Sequence, residues 1–377
     1  MKVLAVCVPG AGHINPLLPL LGALTSAGDD VLVASAASTE PFAHRAGLGF
    51  RQAGQDEMAW FHKLQAHIRG TPGDGLAPDR INHYFIPRLF GEIAAADMID
   101  DVVDAGRDFG AELVLFEPYA FAAPLAAQIL DLPAVQHLIS PKFTPDVLAL
   151  TNDSVSPLWR SFGQTVSGNA GVYQGLTIEI CPTSLDPAPV PGGDRLSLRP
   201  VSASPRRSRD RPLVYVTLGT SFANADIFRA VLAALADEAV DVLVTVGSSL
   251  DPQELGAAPA NTRVERFVPQ ETLLPDCSVV VHHGGAGTTL GSLAYGVPQL
   301  AIPQGADNFV NASLVEGSGA GRTLGPDEVS SAAIREAVRV LLDDDAYTEA
   351  ARRVAGEIAA MPAPDETAAV VRSRYGG

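Results

Sequence analysis

Two stretches of this sequence hold side chains suited to chemistry. One is PGAGHINP over residues 9–16, and the other is HHGGAGTT over 282–289. Each follows a short apolar run and precedes a helix-like stretch. In the first, His13 sits at a tight turn beside Gly10 and Gly12, which let a substrate approach the ring closely. Imidazole, with a reference pKa of about 6.5, accepts a proton near neutrality. A structural cap is the competing role for His13 on motif shape alone. A carboxylate partner would favour the base, because it fixes the tautomer and stabilises the imidazolium. Glu117, closing the apolar run ELVLFE, is suitably placed if its strand ends near the first turn.

In the second stretch, Gly284, Gly285 and Gly287 permit unusual backbone angles and leave room for a ligand. The N–H groups of Gly285, Ala286, Gly287 and Thr288 would be unpaired at a helix start. They form a cradle for an anion, reinforced by the helix dipole. His283 can donate to a phosphate oxygen, and Thr288 adds a hydroxyl. Adjacent residues on a strand point to opposite faces, so His282 and His283 make a poor metal pair. The chemistry indicated is a diphosphate held by backbone and histidine, with no metal. Nearby, ERFVPQ (265–270) offers the flat ring of Phe267 and exposed backbone at Val268 to a nucleobase. PQGADN (303–308) sets Gln304, Asp307 and Asn308 before a helix, a mix of donors and acceptors suited to sugar hydroxyls. An N-cap is the other role open to Asp307.

Competing nucleotide motifs fail. A dinucleotide fingerprint needs glycine at position 15, which is Asn, and an acid after the second strand, where VLVASA ends in small residues. No G-K-[ST] is present, which excludes a P-loop.

The elements that must position these residues follow from the pattern. Apolar runs at 2–8, 30–36, 111–117 and 132–138 alternate with helical stretches at 15–28, 39–47 and 121–130. After a stretch rich in Pro, Gly, Ser and Arg (186–212), runs at 213–219, 241–247, 278–283 and 298–303 alternate with helices at 224–236, 286–296, 307–317 and 327–342. Such alternation predicts parallel doubly wound sheets, whose ligands lie at the carboxyl ends of the strands. The expected domains are 1–195 and 212–377 with a linker at 196–211, the last helix being free to return to the first domain. Residues 55–107 read as helices and loops inserted after a third strand. Trp60 and Phe85 there, with His137, are the candidates for acceptor contact.

Composition narrows the partners. A net charge of −17 argues against nucleic acid and anionic membranes, which need basic patches. Three separated cysteines, Cys7, Cys181 and Cys277, show no paired spacing and fit a reducing compartment. The apolar N-terminus is punctuated by Pro9, Gly10, Gly12, His13, Asn15 and Pro16, which favours a strand and turn over a signal peptide. No uninterrupted apolar stretch approaches the roughly 18 residues of a membrane span.

Together these motifs resemble family 1 glycosyltransferases of the GT-B fold, in particular the bacterial group that decorates polyketides and related antibiotics. The likeness spans nearly the whole chain. GAGHINPLLPL resembles the segment carrying the catalytic base, which maps onto His13, with Gly12 counted among the donor contacts. AELVLFEPYAFAAPLAA resembles the segment of its acidic partner, usually Asp and here Glu117. RFVPQ resembles the base-stacking loop, with Phe267 in the aromatic slot and Gln270 beside it. HHGGAGTTL…GVPQLAIPQGADNF resembles the donor signature from phosphate (His283, Thr288) to sugar (Asp307, with Asn308 for the usual Gln). Gly291 stands where plant members carry a ribose-binding Glu. VTLGTSF resembles the loop that brings Thr220 and Ser221 near the donor phosphates.

The resemblance implies two Rossmann-like domains facing each other across a cleft. It implies an inverting, metal-independent transfer of a sugar, expected to be a deoxysugar, from a dTDP or UDP donor to a hydroxyl of a hydrophobic acceptor. No cofactor, nucleic acid or membrane span is expected, and the protein is expected in the cytoplasm as a monomer or homodimer. A sugar-nucleotide epimerase of similar build and a non-catalytic helper are the alternatives.

Overall fold

A computed structural model describes residues 1–68, 82–166, 168–219, 224–248 and 250–376. Two parallel sheets organise the chain. The first contains β1 (Lys2–Val6), β2 (Asp30–Ser35), β3 (Gly49–Gln52), β4 (Leu113–Phe116), β5 (Ala134–His137), β6 (Leu176–Glu179) and β7 (Asp194–Ser197). Its order is β3-β2-β1-β4-β5-β6-β7. The second contains β8 (Leu213–Thr217), β9 (Asp241–Thr245), β10 (Thr262–Glu265), β11 (Cys277–His282), β12 (Gln299–Ala301) and β13 (Gly321–Thr323), in the order β10-β9-β8-β11-β12-β13.

The central strands are buried along most of their length, as in LVLF of β4 and LVYVT of β8. Such strands read as continuous apolar runs because helices cover both faces. One large core of the second unit joins Val214, Val216, Val279 and Val281 from the sheet to Phe228, Leu232 and Val338 from its helices. In each sheet the winding reverses once, between β1 and β4 and between β8 and β11. At such a point the loops leaving two neighbouring strands part in opposite directions and open a crevice at their carboxyl ends.

The chain divides into two compact units. One comprises Met1–Ile180, Ala188–Leu198 and the chain from Pro362 onward. The other comprises Cys181–Pro187 and Arg199–Met361. The terminal helix Pro364–Tyr375 belongs to the first unit, where Arg372 pairs with buried Asp29 at 3.2 Å and Arg374 with Asp194. Several elements depart from the sequence reading. The expected helix at 15–28 is a single turn, Ala11–Ile14, followed by Leu18–Ser26. Strand β7 lies inside the stretch whose composition reads as a connection, because DRLS carries too little apolar character to stand out. In the acidic run 343–345, the Asp344 side chain accepts the Ala346 N–H at 3.0 Å and caps the helix Asp345–Ala360.

Candidate active site

In the first unit the candidate base stands at the sheet reversal. Gly10 turns the chain out of β1 with φ +128, a conformation closed to most side chains, and the turn Ala11–Ile14 presents His13. Val6 and Phe116 are register partners at the ends of β1 and β4, so Glu117 leaves its strand level with the first turn. Its carboxylate is fully buried and anchored twice, accepting the Val8 N–H at 3.0 Å and the Tyr119 N–H at 2.8 Å. Oε1 lies 3.4 Å from His13 Nδ1, within ion-pair range though longer than a tight hydrogen bond. The longer Glu arm thus still meets the imidazole. A Cβ at Gly12 would touch nothing within 4 Å, so the space beside the ring is open.

Rings other than the three acceptor candidates surround this imidazole. Tyr119 meets it edge-on at 5.2 Å between centroids, and Phe90 lies at 6.1 Å. Tyr119 in turn packs edge-on against Phe90 at 5.1 Å and Phe143 at 5.0 Å. Phe90 is carried on a π-helix, Ile86–Ala94, a widened geometry that often accompanies functional sites. Glu57, at the start of the helix Glu57–Ile68, is within electrostatic reach of His13; burial raises its carboxyl above the usual range and His13 partly opposes that.

The expected acceptor contacts fare differently. Trp60 is wholly buried and donates its indole N–H to Asp97 at 2.9 Å, which makes it a structural anchor rather than a pocket wall. His137 is also wholly buried, with Nδ1 2.8 Å from the Leu138 carbonyl. That carbonyl fixes the proton on Nδ1. Phe85 is half-buried and packs against Phe61 at 5.8 Å, not against the His13 rings. Aromatic identity alone did not reveal which rings the tertiary packing turns toward the base.

In the second unit, β11 ends at His282 and the helix Ala286–Ala294 begins after three residues. Gly285 at the N-cap brings no side chain to cap that helix, and among the described residues its first ladder bond runs from the Thr289 N–H to the Gly285 carbonyl at 3.0 Å. The preceding N–H groups of Ala286, Gly287 and Thr288 therefore lack intrahelical acceptors. A Cβ at Gly287 would meet nothing within 4 Å. Around this start the glycines make room for one ring: a Cβ on Gly219 or Gly285 would lie 2.6 or 2.5 Å from the His283 imidazole. Burial pushes His283 down to about 4, so it is a neutral donor at physiological pH. Thr288 is held by Gln270, whose amide Nε2 donates to its hydroxyl at 3.0 Å.

The sugar end adjoins. Gly284, at φ +89, allows the start of the helix Asn308–Gly317 to come close; a Cβ there would stand 2.7 Å from the Asn308 carbonyl oxygen. Asp307 occupies the N-cap position but makes no capping bond; its Oδ2 accepts from Asn311 Nδ2 at 2.9 Å. Ala306 before it takes φ +51, a strained conformation for a side-chain-bearing residue. Asn308 is buried. Phe267 is 73% exposed, the most exposed large apolar side chain among the described residues, and Val268 beside it is half-buried. At Gly291 a Cβ would press within 3.3 Å of Leu274, which leaves little room for a larger side chain. Thr220 and Ser221 lie outside the described residues.

Residues 229–373 match the model of the Erythromycin biosynthesis protein CIII-like C-terminal domain. Over nearly its whole length the chain is 32% identical to the L-demethylnoviosyl transferase of Streptomyces niveus, covering 97% of this chain and 96% of that one. The chain belongs to the antibiotic glycosyltransferases and carries an EryCIII-like C-terminal domain. A second relative of this glycosyltransferase, Elloramycin glycosyltransferase ElmGT of Streptomyces olivaceus, is 32% identical over 100% of this chain and 98% of its own. Among solved structures, the glycosyltransferase SnogD from Streptomyces nogalater superposes with a TM-score of 0.77 at 28% identity, covering 100% and 99% of the two chains. SsfS6 of Streptomyces sp. SF2575, complexed with thymidine diphosphate, superposes at 0.78 with 25% identity and 99% coverage of each. The glycosyltransferase therefore has the GT-B fold, two doubly wound parallel-sheet units. Among its described residues, no helix is long and apolar enough to cross a membrane.

The glycosyltransferase should be acid-sensitive for a stated reason. Burial lowers His137 to about 4, His282 to about 3 and His283 to about 4, from an ordinary 6.5. Below pH 6.5 the unfolded chain binds protons that the folded chain refuses. Stability therefore falls as pH drops from about 6.5 toward 4, by up to about 1.4 kcal/mol per pH unit for each histidine. Denaturant unfolding at pH 7, 6 and 5 measures this slope. A His137→Gln chain, lacking one of the three groups, should show a shallower slope by up to that amount; an unchanged slope would mean that His137 titrates alike in both states.

Proposed function

We propose that this glycosyltransferase moves a deoxysugar from a thymidine diphosphate sugar to a hydroxyl of a hydrophobic natural product, inverting the anomeric centre without a metal ion. The single observation that carries the reading is the uncapped helix start at Ala286, with neutral His283 and the Thr288 hydroxyl gathered at it. It offers amide, imidazole and hydroxyl hydrogen bonds to a departing diphosphate, whose charge grows as the glycosidic bond breaks. Donors fixed in advance stabilise that charge without reorganising. The thymidine diphosphate bound in SsfS6 supports the choice of nucleotide. The names of relatives support the sugar class, among them a desosaminyl transferase of Saccharopolyspora erythraea at 28% identity over 100% of this chain.

In the proposed reaction His13 removes the acceptor proton through Nε2 as the oxygen attacks the anomeric carbon from the face opposite the leaving group. Glu117 holds Nδ1–H and balances the imidazolium that forms. Phe90, Tyr119 and Phe143 supply the apolar surface for the acceptor near the base, in place of Trp60 and His137. Asp307 and Asn308 meet sugar hydroxyls, and Phe267 stacks on the base. We place the enzyme in the cytoplasm, on its few, unpatterned cysteines.

A melting-temperature screen with nucleoside diphosphates tests the donor side. Thymidine diphosphate at about 100 times its dissociation constant should add roughly 2.7 kcal/mol of stability. The gain should shrink in a Phe267→Ala chain, because base stacking on an aromatic ring contributes about 1–3 kcal/mol. Equal response to thymidine diphosphate and to base-free diphosphate would remove Phe267 from the site. Incubation with donor alone should leave the sugar unchanged; epimerised sugar would favour the epimerase reading.

A further inference from the structure

The arginine-rich segment that begins the second unit plays no part in the reaction above. Arg206, Arg207 and Arg209 fall in PRRSRDRP and, with Arg352 from the helix Asp345–Ala360, line a cavity of about 360 Å³. Asp276 is the one acidic residue of the lining, in a chain of net charge −17. The four guanidinium groups are not equally engaged. Arg207 grips Asp276 with Nε at 2.6 Å and Nη2 at 2.9 Å, and Arg209 pairs with Asp241 at 2.8 Å. Among the described residues Arg206 donates only to neutral carbonyls, those of Gly296 at 3.0 Å and Cys277. Arg352 has no carboxylate within ion-pair distance among the described residues.

These two unbalanced charges converge. Arg206 holds the Gly296 carbonyl, and the Arg352 arm lies across Gly296, with Cγ 3.0 Å from where a Cβ would stand. Burial and the neighbouring Arg352 both lower the Arg206 guanidinium below its usual range, the mark of like charges held together. Ser208 and Ser278 bring hydroxyls to the same cavity. The cavity opens where β8 and β11 begin, beside Pro212 and Asp276. The donor cradle lies past the other end of β11, about 20 Å away along six residues of strand.

We infer that this cavity is a second anion site, built for a dianionic phosphate group between Arg206 and Arg352, separate from the diphosphate cradle. Two guanidinium groups without a carboxylate partner among the described residues match two negative charges, and planar forks with adjacent hydroxyls match phosphate oxygens. A phosphate monoester and free phosphate share this chemistry.

Equilibrium dialysis of labelled inorganic phosphate against the full-length enzyme at low ionic strength tests the site. Wild type should bind phosphate at two kinds of place. Arg352→Gln should weaken one about ten- to a hundred-fold, the effect of losing a charge-assisted contact, with sugar transfer unchanged. Arg352→Lys should retain most of that binding. Gly287→Val, which fills the donor cradle, should abolish transfer yet leave the arginine-cavity phosphate bound. Displacement by glycerol 3-phosphate at lower concentration than by phosphate assigns the ester as ligand; the reverse assigns the free ion. Phosphate binding unaltered in Arg352→Gln, or lost entirely in Gly287→Val, would overturn the inference.

Discussion

Replacing His13 with alanine is expected to lower kcat/KM for sugar transfer by about 10²- to 10⁴-fold, the range a positioned general base contributes. The expectation rests on the paired geometry at the reversal of the first sheet. Glu117 is buried, fixed by two backbone N–H groups, and 3.4 Å from His13 Nδ1. On the proposed reading, a proton on Nδ1 facing Glu117 leaves the Nε2 lone pair to take the acceptor proton. The loss should fall on turnover, with thymidine diphosphate raising the melting temperature as in wild type, because the donor residues belong to the other unit. Steady-state kinetics alongside melting curves make the separation. Unchanged turnover would strip His13 of its role as the base.

His283→Ala is expected to produce the second large effect, a fall in kcat of about 10²–10³-fold, by analogy with loss of one donor to a developing oxyanion. The ring is tightly encased: glycine at 219 and 285 is required because a Cβ would intrude within 2.6 and 2.5 Å of it. Its burial keeps it neutral down to about pH 4. On the proposed reading it acts by N–H donation rather than by full charge, and the pH profile of kcat/KM between pH 5 and 8 should keep its shape in the variant. Loss of a limb of that profile in His283→Ala would show instead that this imidazole titrates in the working range. Gly285→Val should reproduce part of the defect by displacing the ring, and a wild-type rate in that variant would disprove the steric account.

Much of this was legible in the residues because it is local. A helix start after glycines must leave amides unpaired, whatever surrounds it, so the cradle at 285–288 could be read from HHGGAGTT. The same holds for the turn that presents His13, since Gly10 and Gly12 announce it. Buried parallel strands betray themselves as apolar runs, which is why β1, β4, β8 and β11 were visible. Weakly apolar edge strands were not. β7, with the sequence DRLS, has no periodicity to distinguish it from a connection.

By itself the sequence determined the two sheets, the turns that bear the chemistry and the residue types at each. It did so because backbone conformation and strand burial depend on near neighbours in the chain. Tertiary structure alone decided who meets whom. Strand order placed Glu117 beside His13 across more than a hundred residues. Packing brought Phe90 and Tyr119 against the His13 ring, with Phe143 behind Tyr119, while burying Trp60 and His137. It also left Arg206 and Arg352 beside each other without a carboxylate partner among the described residues. Those outcomes depend on which surfaces compete to be buried, a property of the whole fold that no short window of residues contains.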